Sequence, residues 1–151
     1  MLMNLAIGLP TMLVCLILQV AVTFLSVRYY VRQSRRTPSG GRLFEGMRPI
    51  LIVMIVMMLG NFLQIVIWGA IFIWLGEFHE LYEAVYHSAV NFTSLGYGDV
   101  VMSARWKLLG PLEAANGILM LAITGAALMA ILQQLIKATA FVKRQVRKDV
   151  G

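Results

Sequence analysis

The chain has 151 residues, of which 60% are hydrophobic and only 13% are charged, and its formal net charge is +6. A soluble domain of this size cannot bury so much apolar surface, so the composition excludes an ordinary soluble protein and indicates an integral membrane protein. The single cysteine, Cys15, excludes an intrachain disulfide and a metal cluster held by thiolates.

Three apolar segments are long enough to cross a membrane as helices, residues 5–27, 49–75 and 110–136. A bilayer core about 30 Å thick needs about 20 helical residues. The first segment lacks the basic flank and the small-residue cleavage site of a signal peptide, so it predicts a retained helix. It also lacks the arginines of a voltage sensor, which indicates a role in anchoring or packing. Pro49 is expected in the first turn of the second helix, where its missing N–H costs nothing.

The basic residues give the chain an orientation. Only Arg105 and Lys107 lie between the second and third segments, and the other eleven of the thirteen lie on the opposite side. The positive-inside rule therefore predicts an external N-terminus and a cytoplasmic C-terminus. Topology accounts for the net charge without a nucleic-acid partner. Five basic residues follow the third segment and are expected to attract anionic lipid: Lys137, Lys143, Arg144, Arg147 and Lys148.

A shorter apolar helix, predicted over residues 80–93, lies between the second and third segments. The carboxylates of Glu77, Glu80 and Glu83 suit the positive end of this helix. Because the helix is too short to span, it enters the membrane and stops. Non-helical backbone at that depth must be buried in protein or line a wet cavity, so the glycine-containing segment that follows is predicted to face water or ions.

That segment, Ser94-Leu95-Gly96-Tyr97-Gly98-Asp99, resembles the T-V-G-Y-G-D selectivity filter of potassium channels, and the resemblance covers residues 49–136. It implies an outer helix at 49–75, a pore helix at 80–93, a filter at 94–99 and an inner helix at 108–136. In that family the carbonyl oxygens of four chains replace the hydration shell of the ion. The resemblance therefore implies a homotetramer, with no internal repeat in the chain to build the pore alone.

The residue types explain why such a filter needs this spacing. Glycine reaches positive φ without a Cβ clash, so Gly96 and Gly98 can turn neighbouring carbonyls towards one axis. The resemblance implies that K⁺ binds at Ser94, Leu95, Gly96 and Tyr97, with Gly98 completing the filter. Tyr97 is expected to brace the filter, and Asp99 to form an acidic ring at the outer mouth that attracts cations.

The sequence departs from the family pattern around the filter. Ser94 and Leu95 stand where threonine and valine are usual, and Val90 stands where some relatives carry a glutamate that pairs with the filter aspartate. Three polar residues are predicted to support the filter: Thr93, Asn91 and Glu113. We expect Glu113 to hydrogen-bond behind the filter, near Asn91 or Tyr97, in place of the missing glutamate, although it also fits a carboxylate at the outer interface.

Four further residues are candidates for a hinge or for pH sensing. Gly117 and Gly125 in the third segment are candidates for a hinge, and close helix packing is the alternative. His79 and His87 are candidates for external pH sensing.

The sequence thus predicts an all-α membrane protein with three transmembrane helices, a re-entrant pore helix and a selectivity filter, assembled as a homotetrameric pore. The domains are an N-terminal helix and basic linker (1–48), a pore domain (49–136) and a basic tail (137–151). The predicted function is passive, potassium-selective conduction without a cofactor other than the permeant K⁺. A weakly selective cation channel and a non-conducting assembly subunit are the alternatives. No nucleophile–base pair is present, so no enzyme is predicted. A prokaryotic cytoplasmic membrane is the expected location.

Overall fold

The computed structural model describes the backbone of residues 1–34 and 43–149, and the side chains of residues 1–34 and 47–137. Within these ranges every regular element is an α-helix, as predicted. There are four: α1 (Leu2–Ser34), α2 (Leu43–Trp74), α3 (Leu81–Phe92) and α4 (Leu109–Asp149). The predicted linker between Thr37 and Arg42 lies outside the described residues.

Three helices have the length and composition of membrane spans, over Leu2–Ser34, Met47–Trp74 and Leu109–Lys137. This confirms the three predicted spans. The helix α2 begins at Leu43, so Pro49 lies inside it rather than in its first turn. The prediction placed the helix start where the apolar run starts, whereas the backbone is already helical before that run. Helix α4 likewise continues past the apolar segment to Asp149.

The residues group into two compact units. The first consists of Met1–Ala21 and Leu59–Ile123 and contains α3 and the segment that follows it. Its core includes an aromatic group in which the Trp68 and Phe72 ring centroids are 6.0 Å apart. The Phe78 ring packs on Phe72 at 6.3 Å and on His87 at 5.1 Å. Cys15 of α1 and Leu109 of α4 are fully buried in the same cluster.

The second unit consists of Val22–Met58 and Thr124–Gly151. Its described core is a small apolar cluster of Tyr30, Val53, Met57 and Ile131. The domain limits 1–48, 49–136 and 137–151 stay a prediction.

Helix α3 has twelve residues, about 18 Å of helix at about 1.5 Å per residue, which is too short to cross a bilayer. Glu80 precedes it in an extended conformation as the N-cap residue, and Thr93 is its C-cap. The predicted limits, 80–93, therefore include the two cap residues. The helix buries Ala84, His87, Ser88, Val90 and Phe92 and leaves the chain to continue as non-helical backbone from Thr93.

Candidate functional site: the segment after α3 and its support

The end of α3 is closed by a Schellman motif. The Leu95 N–H donates to the Val90 carbonyl at 2.9 Å, and the Ser94 N–H donates to the Asn91 carbonyl at 2.8 Å. In this motif the residue after the C-cap takes a left-handed conformation, and Ser94 does so with φ 59°. The helix therefore stops where the predicted filter begins, at a residue that is usually glycine in this position.

Positive φ angles recur at every second residue of the predicted filter. Gly96 has φ 61° and Gly98 has φ 74°, and Ser94 is the one non-glycine residue with positive φ among those described. Such an alternation rotates neighbouring peptide units relative to one another, which neither a helix nor a strand does. The two glycines occupy the conformations for which the sequence analysis expected them.

The side chains of the predicted filter are open to the surroundings within one chain. Leu95 is 58% exposed and Tyr97 is 67% exposed. A single chain therefore does not provide the predicted bracing contact of Tyr97. Thr93 instead turns back, and its hydroxyl donates to the Ala89 carbonyl of α3 at 2.7 Å.

Asp99 is held by α3 through Tyr86. The Tyr86 hydroxyl donates to Asp99 Oδ2 at 2.6 Å, and the Val100 N–H donates to Oδ1 at 3.0 Å. The hydrogen bond from Tyr86 lowers the pKa of Asp99 and raises the pKa of the Tyr86 hydroxyl itself. The Asp99 carboxylate, which Val90 cannot support, is thus held by Tyr86, four residues before Val90.

His87 connects α3 to the backbone just beyond Asp99. Its Nδ1 lies 2.9 Å from the Val100 carbonyl and its Nε2 lies 2.9 Å from Asn91 Nδ2. A carbonyl only accepts, so Nδ1 carries the hydrogen and Nε2 accepts from the Asn91 amide, which is the neutral imidazole. Burial lowers the pKa of His87, which favours the same neutral form.

Glu113 is fully buried and contacts α3 at Ser88, the residue after His87. The Ser88 hydroxyl forms a short hydrogen bond with Glu113 Oε1 and also lies 2.7 Å from the Ile65 carbonyl of α2. The Asn91 side chain interacts with the same carboxyl group. The structure therefore places Glu113 near Asn91, as expected, whereas its role in support of the filter stays a prediction.

Two glycines allow the neighbouring helices to approach α3 closely. A Cβ added to Gly117 of α4 would overlap the Phe92 carbonyl oxygen, and one added to Gly69 of α2 would lie 3.2 Å from the backbone of Val85. By contrast, a Cβ on Gly125 would meet nothing within 4 Å. Gly117 thus packs against the end of α3, the alternative weighed against a hinge.

The first half of α1 is tied to the unit that holds the site. Asn4 donates to the Arg105 carbonyl at 2.9 Å, and Gln64 Nε2 of α2 donates to Gln19 Oε1 at 2.8 Å. These two hydrogen bonds pack α1 against α2 and against the segment before α4. In the segments between α2 and α4, Glu77 accepts from both the N–H and the hydroxyl of Ser103, each at 2.6 Å.

Sequence reasoning missed Tyr86, Ser88 and Gly69, and it gave His87 no hydrogen-bond partners. Their common signal is a polar or small residue inside an otherwise apolar helix. That signal indicates a contact but does not identify the partner.

The cationic tail can be described only at its start. Lys137 is exposed, and the side chains of Lys143, Arg144, Arg147 and Lys148 lie outside the described residues. Among the side chains that the structure describes, no group of three or more His, Cys, Asp or Glu residues could hold a metal ion.

Residues 62–134 match the model of a protein family described as "Ion channel". The match runs from the middle of α2, through α3 and the segment 94–99, into α4. Comparison with curated proteins and with solved structures gave no match.

Proposed function

Residues 62–134 belong to the ion-channel family of pore-loop proteins with two membrane helices, and from this we propose that the chain is a subunit of a potassium-selective channel. The family relationship confirms the ion-channel prediction and the prediction that the protein is not an enzyme, because this is not an enzyme family. The three spans and the family make the chain an integral membrane protein. Channels of this kind typically assemble as oligomers.

The observation that carries the potassium proposal is the backbone of residues 94–98. Left-handed φ at Ser94, Gly96 and Gly98 suits a row of carbonyls directed to one side. The ligands that we assign to K⁺ are the carbonyl oxygens of Ser94, Leu95, Gly96 and Tyr97 and the Ser94 hydroxyl. Cation sites of this type replace the hydration shell with protein oxygens.

One chain supplies one quarter of such a site, so the proposed assembly is a homotetramer. The exposure of Leu95 and Tyr97 in one chain supports this, because a neighbouring subunit would cover them. Four copies of Asp99 then form the outer ring that attracts cations. We assign an external N-terminus, a cytoplasmic C-terminus and a prokaryotic cytoplasmic membrane, with the basic tail near anionic lipid.

The function is tested with the purified full chain in liposomes. We expect uptake of radioactive rubidium against a potassium gradient, block by external barium, and a reversal potential in mixed potassium and sodium that follows potassium. A reversal potential that follows neither ion would identify the weakly selective cation pore, to which the residues Ser94 and Leu95 point. Absence of uptake would favour the non-conducting assembly subunit.

The glycines of the chain offer a matched pair of variants. Gly96 and Gly76 both have positive φ, 61° and 75°, and a Cβ on either would meet nothing within 4 Å. Alanine therefore brings the same backbone strain to both, about 1–2 kcal/mol. Gly96→Ala should abolish selective uptake, whereas Gly76→Ala, in the turn between α2 and α3, should retain it. Equal loss in both variants would show that strain alone, and not the filter, explains the effect.

A further inference from the structure

The hydroxyl of Ser88 lies between two oxygen atoms from two other helices. One is the Ile65 carbonyl oxygen of α2, at 2.7 Å, and the other is Glu113 Oε1 of α4, within hydrogen-bonding distance. A serine hydroxyl carries one hydrogen, and a carbonyl oxygen can only accept. Ser88 alone therefore cannot supply the hydrogen for both contacts.

The protonation state of Glu113 decides whether the arrangement is satisfied. With an ionised carboxylate, one of the two contacts joins two oxygens without a hydrogen between them. With a neutral acid, Glu113 donates to Ser88 and Ser88 donates to Ile65, so each contact has its hydrogen. An amide can donate to the carbonyl oxygen of an acid as well as to a carboxylate, so the nearby Asn91 side chain does not distinguish the two states.

The surroundings of Glu113 also disfavour a negative charge. The residue is fully buried, and its Oε2 has no hydrogen-bond partner. Among the described side chains, those that interact with it are Cys15 from α1 and Ser88 and Asn91 from α3, and none of these is cationic. Among the described titratable side chains, His87 is connected to Glu113 through Asn91, and its imidazole is neutral. A buried charge without a partner is expensive, and a neutral acid avoids that cost.

We propose that Glu113 is a neutral carboxylic acid and that its proton completes a hydrogen-bond chain, Glu113 to Ser88 to the Ile65 carbonyl, which fixes α3 to α2 and α4. Glu113 is then a positioning residue for the segment that follows α3. Loss of the proton at alkaline pH removes the donor and leaves an unpaired charge, so the position of α3 depends on pH. The proposal depends on the proposed channel function only in experiments that measure conduction.

Infrared spectroscopy of the full chain in lipid tests the protonation state directly. We expect a C=O stretching band of a protonated carboxylic acid at pH 8, shifted by exchange into deuterium oxide. The band should be absent in Glu113→Gln and present in Glu83→Gln, whose parent carboxylate is exposed. Absence of the band in the parent protein, or its persistence in Glu113→Gln, overturns the proposal.

The variant Glu113→Gln also tests the chain of hydrogen bonds. The glutamine amide can donate to Ser88 as the acid does, so the variant should fold and melt at a temperature close to that of the parent. If it does not fold, the pH titration of the band in the parent protein decides instead, because a neutral acid loses the band as it ionises. A carboxylate that is ionised at pH 7 has no band to lose.

The dependence of the melting temperature on pH distinguishes a positioning role of Glu113 from a role in packing alone. Free thiols ionise at alkaline pH, so both arms carry Cys15→Ala to remove that contribution. The melting temperature of this background should fall at alkaline pH, and addition of Glu113→Gln should abolish that fall. An unchanged fall in the double variant overturns the proposal. Because neither measurement requires ion flux, a failure of the channel function leaves these results interpretable, and rubidium uptake then tests the channel function separately.

Discussion

The substitution Gly117→Ala tests the close contact between α4 and the end of α3. The added Cβ would overlap the Phe92 carbonyl oxygen and lie 2.7 Å from the carbonyl carbon and 2.9 Å from Cα. These are backbone atoms of a fully packed residue, so no side-chain rotation relieves the overlap. Either α4 or the last turn of α3 must move.

The expected cost follows from two opposing terms. Overpacking of a close contact costs about 1–3 kcal/mol. Because the added Cβ would meet rigid backbone, we expect a cost near the upper end of that range. Alanine recovers about 1 kcal/mol of helix propensity relative to glycine. The net loss is therefore about 2 kcal/mol, which corresponds to a fall of about 4–8 °C in the melting temperature of a chain of this size.

Gly125→Ala is the matched control in the same helix. A Cβ there meets nothing within 4 Å, so only the gain in helix propensity remains. Both variants should be melted in the same detergent, with tryptophan fluorescence as the readout, and then assayed for rubidium uptake. Gly117→Ala should melt lower and conduct less, whereas Gly125→Ala should match the parent or exceed it. A Gly117→Ala protein as stable and active as the parent would refute the close contact, and selective loss of conduction in Gly125→Ala would return the hinge interpretation.

Three further predictions concern polar side chains of α2 and α3. Tyr86→Phe removes the donor to Asp99, so the pKa of this carboxyl should rise towards its ordinary value and conduction should inactivate faster in current recordings; unchanged recordings would show that another group holds the aspartate. Burial lowers the pKa of His87 below 6.5, so the stability that its neutral form contributes is complete above pH 6.5 and is lost as the pH falls through the lowered value. The melting temperature should therefore fall on acidification, and His87→Gln, which keeps a donor but does not titrate in this range, should reduce that fall; an identical acid profile in the variant would assign it to other groups. Gln64→Leu removes the hydrogen bond to Gln19 and should cost about 0.6 kcal/mol and at most about 1.7 kcal/mol in unfolding experiments, and no measurable change would mean that the bond contributes nothing beyond packing.

Features that depend on local sequence were predicted well. The length and hydrophobicity of three segments determine that they span a membrane, whatever they pack against. The spacing of Gly96 and Gly98 indicates positive φ because that preference belongs to the residue itself. The end of α3 was also placed within one residue, since the polar and glycine residues after Phe92 cannot continue an apolar helix.

Contacts between residues of different helices were predicted poorly, and α2 shows the reason. Apart from Asn61 and Gln64, its membrane segment is apolar on every face, so its pattern does not show which side faces α3. Gly69 and the Ile65 carbonyl gain their roles only from the rotation and register of the packed helices. The same holds for Tyr86, whose hydroxyl reaches Asp99 only because the chain folds back after α3.

The sequence by itself therefore determined that this protein lies in a membrane and carries a pore-loop signature between two of its spans, because hydrophobic length and glycine conformation are properties of short segments. Only the tertiary structure decided that Ser88 lies between Glu113 and Ile65, that Tyr86 holds Asp99, and that Gly117 packs on Phe92. Each of these depends on how helices distant in sequence are rotated against one another, and that rotation is set by packing and not by any single segment.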